Sequence, residues 1–303
     1  STLDSGQPVC GPLGNENCRG ADSTKELKRQ LAKAASALAL MNADIVGLME
    51  LENNDSESLQ LIVDALNARL ASDDYAFVDT GTIHDDAIKT GFVYRKSTMS
   101  PRGAYALLDN SVDPRFNDAK NRPALAQTFA VDATGAVLTV IVNHLKSKGS
   151  SCEPEGDPNL GDGQGNCNRI RTDAAAAIAA WIASDPTGSN DADFLIIGDL
   201  NAYTQEDPLT ALTNAGLTNL LEADANPYSF VFDAQAGALD HAIASESLVP
   251  QIVDAIEWHI NADEPALLDY NLENGRDPAL FDPDSPYRAS DHDPVVIGLE
   301  LTN

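Results

Sequence analysis

Short apolar runs of strand length, broken up by helical stretches, limit most strongly what this 303-residue chain can fold into. The runs at 45–49, 137–142 and 194–197 are rich in Val, Ile and Leu and predict buried strands. The run at 124–131 lies close before 137–142, so these two predict a hairpin. Strands and helices therefore do not alternate strictly, which favours a mixed sheet flanked by helices over a doubly wound parallel sheet.

Helix-forming stretches separate some of these strands. Apolar residues at helical spacing predict a first helix over 24–42, which the polar residues 22–24 can cap. Residues 1–22 contain few large apolar side chains and predict a loop, whereas 261–290 predict a long polar insertion. The remaining predicted helices span 56–70, 170–184 and 208–214, and the remaining predicted strands span 75–79, 90–95, 229–233, 241–244, 255–259 and 295–301.

The chain is strongly acidic, with 19 Lys plus Arg, 47 Asp plus Glu and a formal net charge of −28. This charge disfavours non-specific binding to nucleic acid or anionic lipid, although high salt would screen it. Lys146, Lys148, Arg169 and Arg171 form a local exception, which is either a track for a phosphate backbone or a scattered, solvated face. The longest uncharged apolar stretch, 174–183, is too short to span a bilayer and argues against an integral membrane protein.

Four cysteines lie in two loops rich in Gly, Asn and Pro. Cys10 is close to Cys18 and Cys152 to Cys167, so proximity favours these pairs among the three possible connectivities. Paired loop cysteines indicate an oxidising compartment, extracellular or periplasmic, with any secretion signal already removed. The acidic loop at 157–165 could bind a structural Ca²⁺, but a plain disulfide-stapled loop accounts for it equally well.

Polar side chains with catalytic potential recur where the apolar runs end. The residues are Glu50, His144, Asp199, Asn201, Asp240, Asp291 and His292. One such residue means little, because carboxylates often end strands as solvated turn residues or turn caps. Several of them together predict a site at a rigid sheet edge.

The residue types suit phosphoryl chemistry. Those with oxygen ligands for Mg²⁺, Mn²⁺ or Ca²⁺ are Glu50, Asp199, Asn201 and Asp291. His144 and His292 could exchange protons near neutral pH, and Asp240 could orient one of them. Arg122 could stabilise negative charge on a phosphate.

Five segments also resemble, in order, the motifs of the endonuclease/exonuclease/phosphatase superfamily, which includes deoxyribonuclease I: GLMELEN, VNHLKSKGS, IIGDLNAY, LDHAIAS and SDHDPVV. RGADS, NRPALAQTF and the Cys-bounded GDGQGN loop are similar to its branch of bacterial extracellular nucleases. The resemblance covers about residues 10–301. It implies an α/β fold, a four-layered sandwich of two packed mixed sheets flanked by helices, formed by a single domain over 1–303.

The resemblance also implies a metal site that holds Mg²⁺ (or Mn²⁺). Glu50 resembles the metal-binding glutamate, with Glu52 as the rival ligand. Asp199 and Asn201 resemble the pair that places the metal, the attacking water and the scissile phosphate, which makes them catalytic residues as well. Asp291 is expected near the metal.

The remaining roles follow from the same motifs. His144 resembles a histidine that contacts phosphate and donates a proton or hydrogen bond. His292 resembles the family's acid/base, and Asp240 the aspartate that orients it. The residues expected to bind substrate are Arg122, Asn143 and Lys146.

Two departures from the family pattern stand out. The family begins with a strand whose asparagine helps bind the metal, whereas this chain starts at Ser1 in the loop that should follow it. Deoxyribonuclease I has a glutamate behind its first histidine, but residues 87–90 offer no carboxylate here. Asp85 or Asp86 could substitute, or Lys89 could contact phosphate instead.

The predicted function is a secreted, divalent-metal-dependent nuclease that hydrolyses phosphodiester bonds of extracellular DNA, with RNA left open as a further substrate. The alternative of the same chemistry is a phosphatase or phosphodiesterase that acts on nucleotides or phospholipids, because the fold does not choose a substrate. A catalytically inactive, Ca²⁺-binding interaction domain is the alternative from another class. DNA is the expected partner, as substrate.

Overall fold

The helices and strands are described over residues 2–222, 226–272 and 276–302 of a computed structural model. The helices are α1 (Thr24–Met41), α2 (Glu57–Leu70), α3 (Asn168–Ile182) and α4 (Asp207–Asn214). The strands are β1 (Pro8–Cys10), β2 (Glu16–Asn17), β3 (Ile45–Glu52), β4 (Tyr75–Phe77), β5 (Ile88–Arg95), β6 (Met99–Pro101), β7 (Ala106–Leu108), β8 (Arg122–Val131), β9 (Val137–His144), β10 (Phe194–Asp199), β11 (Thr218–Asn219), β12 (Phe230–Phe232), β13 (Gln235–Gly237), β14 (Asp240–Ala244), β15 (Ile252–Glu257) and β16 (Val295–Leu299).

Two structural units divide the chain. The first unit comprises residues 1–99, 229–236 and 257–294, and the second comprises 100–228, 237–256 and 295–303. The predicted single domain over 1–303 stays a prediction.

In the first unit, β3, β5 and β4 form an antiparallel sheet that packs against α1 and α2. Its core contains Leu38, Leu59 and Val93, which are at most 7% exposed. Ser23 caps α1 by accepting a hydrogen bond from the Glu26 N–H at 3.2 Å. The predicted helix and its cap are therefore confirmed, because apolar spacing and capping chemistry agree at this end.

The part of the polar insertion at 276–290 is held on α1 by buried donors. Lys33 Nζ donates to the Tyr287 carbonyl and Ser36 Oγ to the Asp284 carbonyl, each at 2.7 Å. Burial lowers the pKa of Lys33, a residue that is 1% exposed. Side-chain to backbone hydrogen bonds thus fix a segment that has little apolar material of its own.

In the second unit, a mixed sheet runs in the order β11-β14-β10-β9-β8-β6, and β7 also pairs with β8. The hairpin of β8 and β9 is antiparallel, as predicted, whereas β9 and β10 are parallel. Helices α3 and α4 pack on this sheet over a core that includes Ile141, Ile178, Ile196 and Leu212. Two sheets, each with its helical layer, agree with the predicted α/β class.

Some short elements were not predicted. Residues 1–22 are not entirely loop, because β1 and β2 pair within them. Strands β6, β7, β11 and β13 are only two or three residues long, too short to show an alternating pattern. Within the described ranges, every helix is too short or too polar to cross a membrane.

Both cysteine pairs favoured by proximity are disulfides. Cys10 bonds to Cys18 and Cys152 to Cys167, with Cα–Cα distances of 5.0 and 5.2 Å. The first closes the β1–β2 hairpin. The second closes the loop that precedes α3, and both of its sulfur-bearing residues are fully buried.

Candidate active site

Four predicted site residues lie side by side across four neighbouring strands of the second unit. Arg122 on β8 is opposite His144 on β9, and His144 is beside Asp199 on β10. Asp199 is in turn opposite Asp240 on β14. All four are buried, with 3–7% of each residue exposed. We call this set the strand-end row, and it places a cation, a histidine and two carboxylates along one sheet edge.

A β-bulge brings Arg122 into the row. Arg122 pairs with His144, but the next pair toward the sheet interior is Leu125 with Val142. Strand β8 therefore has two residues where β9 has one, and one of the two is Pro123, which has no N–H to pair. This irregularity shifts the register, so a regular hairpin would have aligned a different residue with His144.

Gly198 allows β9 and β10 to approach each other next to the row. Its φ is +121°, and a Cβ there would lie 2.2 Å from the Asn143 carbonyl oxygen. Any other residue would force the two strands apart just before Asp199. The close approach of the two strands is therefore the steric reason for a glycine in the GDLN motif.

Asn143 itself is fully buried, and its Nδ2 donates to the Ile197 carbonyl at 3.3 Å. Successive strand residues point to opposite faces, so Asn143 and His144 face different sides of the sheet. Among the described residues, its Oδ1 has no hydrogen-bond partner. These contacts fix Asn143 within the sheet, and its role as a substrate ligand stays a prediction.

Asp199 and Asn201 form a rigid pair. The Asn201 backbone N–H donates to Asp199 Oδ1 at 2.6 Å, and Asn201 Nδ2 donates to Asp199 Oδ2 at 2.8 Å and to the Leu145 carbonyl at 3.0 Å. His144 Nε2 lies 3.6 Å from Asp199 Oδ2, longer than a hydrogen bond. The carboxylate is therefore fixed in orientation beside the ring and can stabilise positive charge on it.

Asp240 and His241 were ambiguous in the sequence, and their surroundings differ. Asp240 is in the strand-end row, whereas His241 pairs with Gly198 and is 1% exposed. His241 Nε2 lies 2.8 Å from the Ala202 carbonyl oxygen, and burial lowers its pKa. The geometry agrees with His241 as a structural histidine and Asp240 as the site residue.

Glu50, in the first unit, also lies in a β-bulge. Leu48 of β3 pairs with Gly91 of β5. Three positions later Leu51 pairs with Lys89, so β3 has two residues opposite one. Glu50 is one of the two, exposed and with φ of 56°, a left-handed conformation that is uncommon for glutamate. Bulges and such backbone outliers concentrate at functional sites.

Glu52, the rival metal ligand, and Lys89, the alternative phosphate contact, both form hydrogen bonds with other groups of the protein. Thr2 donates its backbone N–H to both carboxylate oxygens of Glu52, at 2.9 and 3.0 Å. Lys89 is 1% exposed, and its Nζ donates to the carbonyls of Asp55, at 2.6 Å, and Gly81. Burial lowers the pKa of Lys89. Glu50 is thus favoured over Glu52, and Lys89 has a structural role.

His292 lies in the SDHD segment of the first unit and stacks on Phe230. The two ring centroids are 4.5 Å apart with an interplanar angle of 30°. Asn261 Nδ2 donates to the His292 carbonyl at 2.7 Å. Asp291 is exposed. The histidine ring is therefore oriented by an aromatic platform as well as by its backbone.

Asp293 anchors this segment, a role that the sequence analysis missed. It is 2% exposed, and its Oδ1 accepts the backbone N–H groups of 260–262 at 2.7–3.0 Å. Its Oδ2 lies 2.9 Å from His259 Nδ1. The second aspartate of the DHDP motif was the available signal, and the SFVF run before LDH was the signal for Phe230.

Arg171 and Lys148, two of the four residues of the predicted cation track, bind other groups of the protein. Arg171 is fully buried and donates to the carbonyls of Lys146, Asn166 and Gln164 at 2.7–3.1 Å. Lys148 forms an ion pair with Glu206, and burial lowers its pKa. The track interpretation is therefore not supported for these two residues.

Lys146 remains next to the row. Its backbone N–H donates to Asn121 Oδ1 at 2.9 Å, and its half-buried side chain donates to Ser147. Asn121, which is 1% exposed, ties this loop to the start of β8. Substrate binding by Lys146 and Arg122 stays a prediction.

The loop at 157–165 is organised by helix capping. Asp157 accepts the N–H groups of Arg169 and Ile170, at 3.2 and 2.8 Å, with its two carboxylate oxygens. These contacts favour the disulfide-stapled loop over a Ca²⁺ loop.

Across the described ranges, no group of three or more His, Cys, Asp or Glu could hold a metal ion. The donors predicted for Mg²⁺ or Mn²⁺ fit by chemistry, since all are oxygens.

Comparison with known families identifies the chain. The model described as the Endonuclease/Exonuclease/phosphatase family matches residues 17–292. The chain belongs to this family. Its members are hydrolases of phosphoester bonds, so the resemblance predicted from the motifs is confirmed at this level. No curated protein matches the chain.

Solved structures of the family share the fold. A mannosyl-6-phosphatase from Bacteroides thetaiotaomicron has 16% identity and a TM-score of 0.60, covering 94% of this chain and 97% of its own. D. rerio TDP2 complexed with single strand DNA product has 16% identity and a TM-score of 0.53, covering 90% and 92%. The human Nocturnin catalytic domain, with 15% identity and a TM-score of 0.52, covers 78% and 82%. The predicted deoxyribonuclease I-like α/β fold is confirmed.

Proposed function

We propose that this protein is a secreted, divalent-metal-dependent nuclease that hydrolyses phosphodiester bonds of DNA. The strand-end row carries the proposal, because Arg122, His144, Asp199 and Asp240 combine charge stabilisation with proton transfer at one rigid edge. Two loop disulfides support the secreted location.

Within this proposal each residue has a distinct task. Asp199, held by Asn201, orients the attacking water and stabilises charge on His144. His144 donates a hydrogen bond or proton to the phosphate, and Arg122 offsets its negative charge. Asp240 and His292 keep their proposed roles as orienting residue and acid/base.

Mg²⁺ or Mn²⁺ is the proposed cofactor. The proposed oxygen ligands are Glu50, Asp199, Asn201 and Asp291. When bound, the metal would polarise a phosphate oxygen and neutralise developing charge. Glu50 in its bulge is the ligand that the local backbone supports best.

The substrate assignment rests on the nuclease-like motifs, and it agrees with a family relative that binds single-stranded DNA. The second candidate is a phosphatase or phosphodiesterase on smaller phosphoesters. It is supported by the likeness in fold to a mannosyl-6-phosphatase. DNA is favoured because the motifs of the nuclease branch extend beyond the catalytic segments.

Plasmid DNA cleavage tests the proposal. The wild-type protein should degrade plasmid DNA in moderate to high salt with Mg²⁺ or Mn²⁺ and lose this activity in EDTA. His144→Ala should lower the rate at least about a hundredfold, since general acid catalysis contributes roughly 10²–10⁴-fold. His84→Ala, at an exposed histidine, is the matched control and should cleave like the wild type.

Other outcomes separate the alternatives. Full activity of His144→Ala would overturn the site assignment. Turnover of mannose 6-phosphate or a nucleotide without DNA cleavage would establish the second candidate. Inactivity on every phosphoester, with any metal, would favour the interaction-domain alternative.

A further inference from the structure

An exposed phenylalanine lies next to the aromatic platform of His292. Phe232 is 68% exposed, the highest exposure among the exposed aromatic residues of the described ranges. It ends β12, whose first residue, Phe230, stacks on the His292 ring. A large apolar ring held in water beside a candidate catalytic group has no packing role to explain it.

The strand geometry puts both phenylalanines on the same side. Residues two apart in a strand point the same way and are about 6.6 Å apart. Phe232 thus extends the platform from His292 by roughly the length of one nucleotide unit. The hairpin fixes this placement, because β12 pairs with β13 through a turn in which Asp233 and Ala234 have φ of 49° and 61°. Two left-handed turn residues are typical of a tight β-hairpin.

We propose that Phe232 is a stacking platform for a nucleobase that flanks the scissile phosphate of a single-stranded DNA substrate. The inference rests on the proposed nuclease function and names the form of its substrate. Aromatic stacking suits this protein, since the ring attracts every base without needing positive charge, in a chain with a net charge of −28. A sugar phosphate has no flat apolar group for this ring to stack on.

Kinetics on two small substrates isolate the contribution of the nucleobase to substrate binding. Thymidine 5′-(p-nitrophenyl phosphate) carries a nucleobase, whereas methyl p-nitrophenyl phosphate has the same leaving group without one. Phe232→Ala should raise KM for the thymidine substrate about tenfold with little change in kcat, since stacking of a base on an aromatic ring strengthens binding by about this factor. Its kinetics on the methyl ester should equal those of the wild type.

Further substitutions at Phe232 test whether its aromatic ring, and not its apolar bulk, is responsible for the effect. Phe232→Trp and Phe232→Tyr keep a ring and should retain low KM, whereas Phe232→Leu keeps apolar bulk and should behave like Phe232→Ala. Val253→Ala is the control, because Val253 is an apolar residue on another strand and is 63% exposed. It should leave the kinetics on both substrates unchanged. Equal losses on both substrates, or none on either, would overturn the proposal.

A binding measurement separates this inference from the proposed function. Fluorescence anisotropy of a labelled single-stranded oligonucleotide in EDTA reports binding without turnover. Phe232→Ala should weaken binding about tenfold even if the protein proves to cleave no DNA. Unchanged binding would overturn the stacking role, whereas a protein that binds through Phe232 without cleaving would refute the nuclease proposal alone.

Discussion

Asp240 and His241 are neighbours in sequence but have different roles in the structure. Asp240 belongs to the strand-end row, while His241 sits behind it and donates to the Ala202 carbonyl next to Asn201. His241 is 1% exposed, and its pKa is lowered, first of all by burial. A neutral imidazole thus supports the turn that carries Asn201.

This burial makes stability depend on pH. In the unfolded chain His241 takes up a proton near its ordinary pKa of about 6.5, but the folded ring does not until a lower pH. The unfolded state therefore binds more protons, and stability should fall as pH drops below about 6.5, by up to about 1.4 kcal/mol per pH unit. His241→Gln should remove this part of the slope in urea unfolding measured between about pH 5 and 7.

The exposed His84 supplies the control. His84→Gln should leave the pH slope of the wild type unchanged. A His241→Gln protein with the full wild-type slope would show that other groups cause the acid sensitivity.

At the scale of elements, α3 begins where the second disulfide loop ends. Asp157 accepts two N–H groups of the first turn, and Arg171 of the same helix donates to the loop carbonyls of Gln164 and Asn166 in return. Helix and loop therefore stabilise each other. The charge of Asp157 also complements the positive end of the helix dipole.

Removal of this cap should be measurable. Asp157→Ala leaves two N–H donors without their acceptor, of which that of Ile170 is buried, and should lower the free energy of unfolding by about 1–2 kcal/mol. Asp157→Asn should lose less. Asp162→Ala is the matched control, because Asp162 is exposed and its hydrogen bond, from the Gln164 N–H, is local. Urea denaturation that finds equal effects for Asp157→Ala and Asp162→Ala would contradict the capping role.

The longer elements could be predicted from the sequence because local signals agreed. Helix α1 has apolar spacing and a capping serine, and the β8–β9 hairpin has two apolar runs with a short turn. The alignment of Arg122 with His144 could not be predicted, since a bulge shifts the register by one residue. The left-handed backbone of Glu50 depends on the pairing of β3 with the distant strand β5, which no local pattern encodes. The exposure of Phe232 depends on which parts of its hairpin the rest of the fold covers, and the local pattern does not encode this either.

At the scale of the whole molecule, charge opposes the proposed substrate. A net charge of −28 repels a polyanion at long range, and salt shortens that range from about 30 Å at 0.01 M to about 3 Å at 1 M. DNA cleavage should therefore speed up several-fold between about 0.01 and 0.5 M NaCl, contrary to the usual salt dependence of nucleic-acid binding.

The small methyl p-nitrophenyl phosphate is the control for this effect. It carries a single charge, so its hydrolysis should change much less over the same salt range. Initial rates on both substrates at fixed metal concentration provide the measurement. DNA cleavage that falls steeply with salt would show that a local cationic surface, and not net charge, governs substrate capture.

The strand-end row also has a consequence for the newly made chain. Its members are spread from residue 122 to residue 240, and only Arg122 and His144 are joined by a local hairpin. Local pairs form early in folding, whereas β14 must be synthesised and must dock on β10 before Asp240 takes its place. A nascent or half-folded chain thus lacks the complete set of these groups until the sheet has closed.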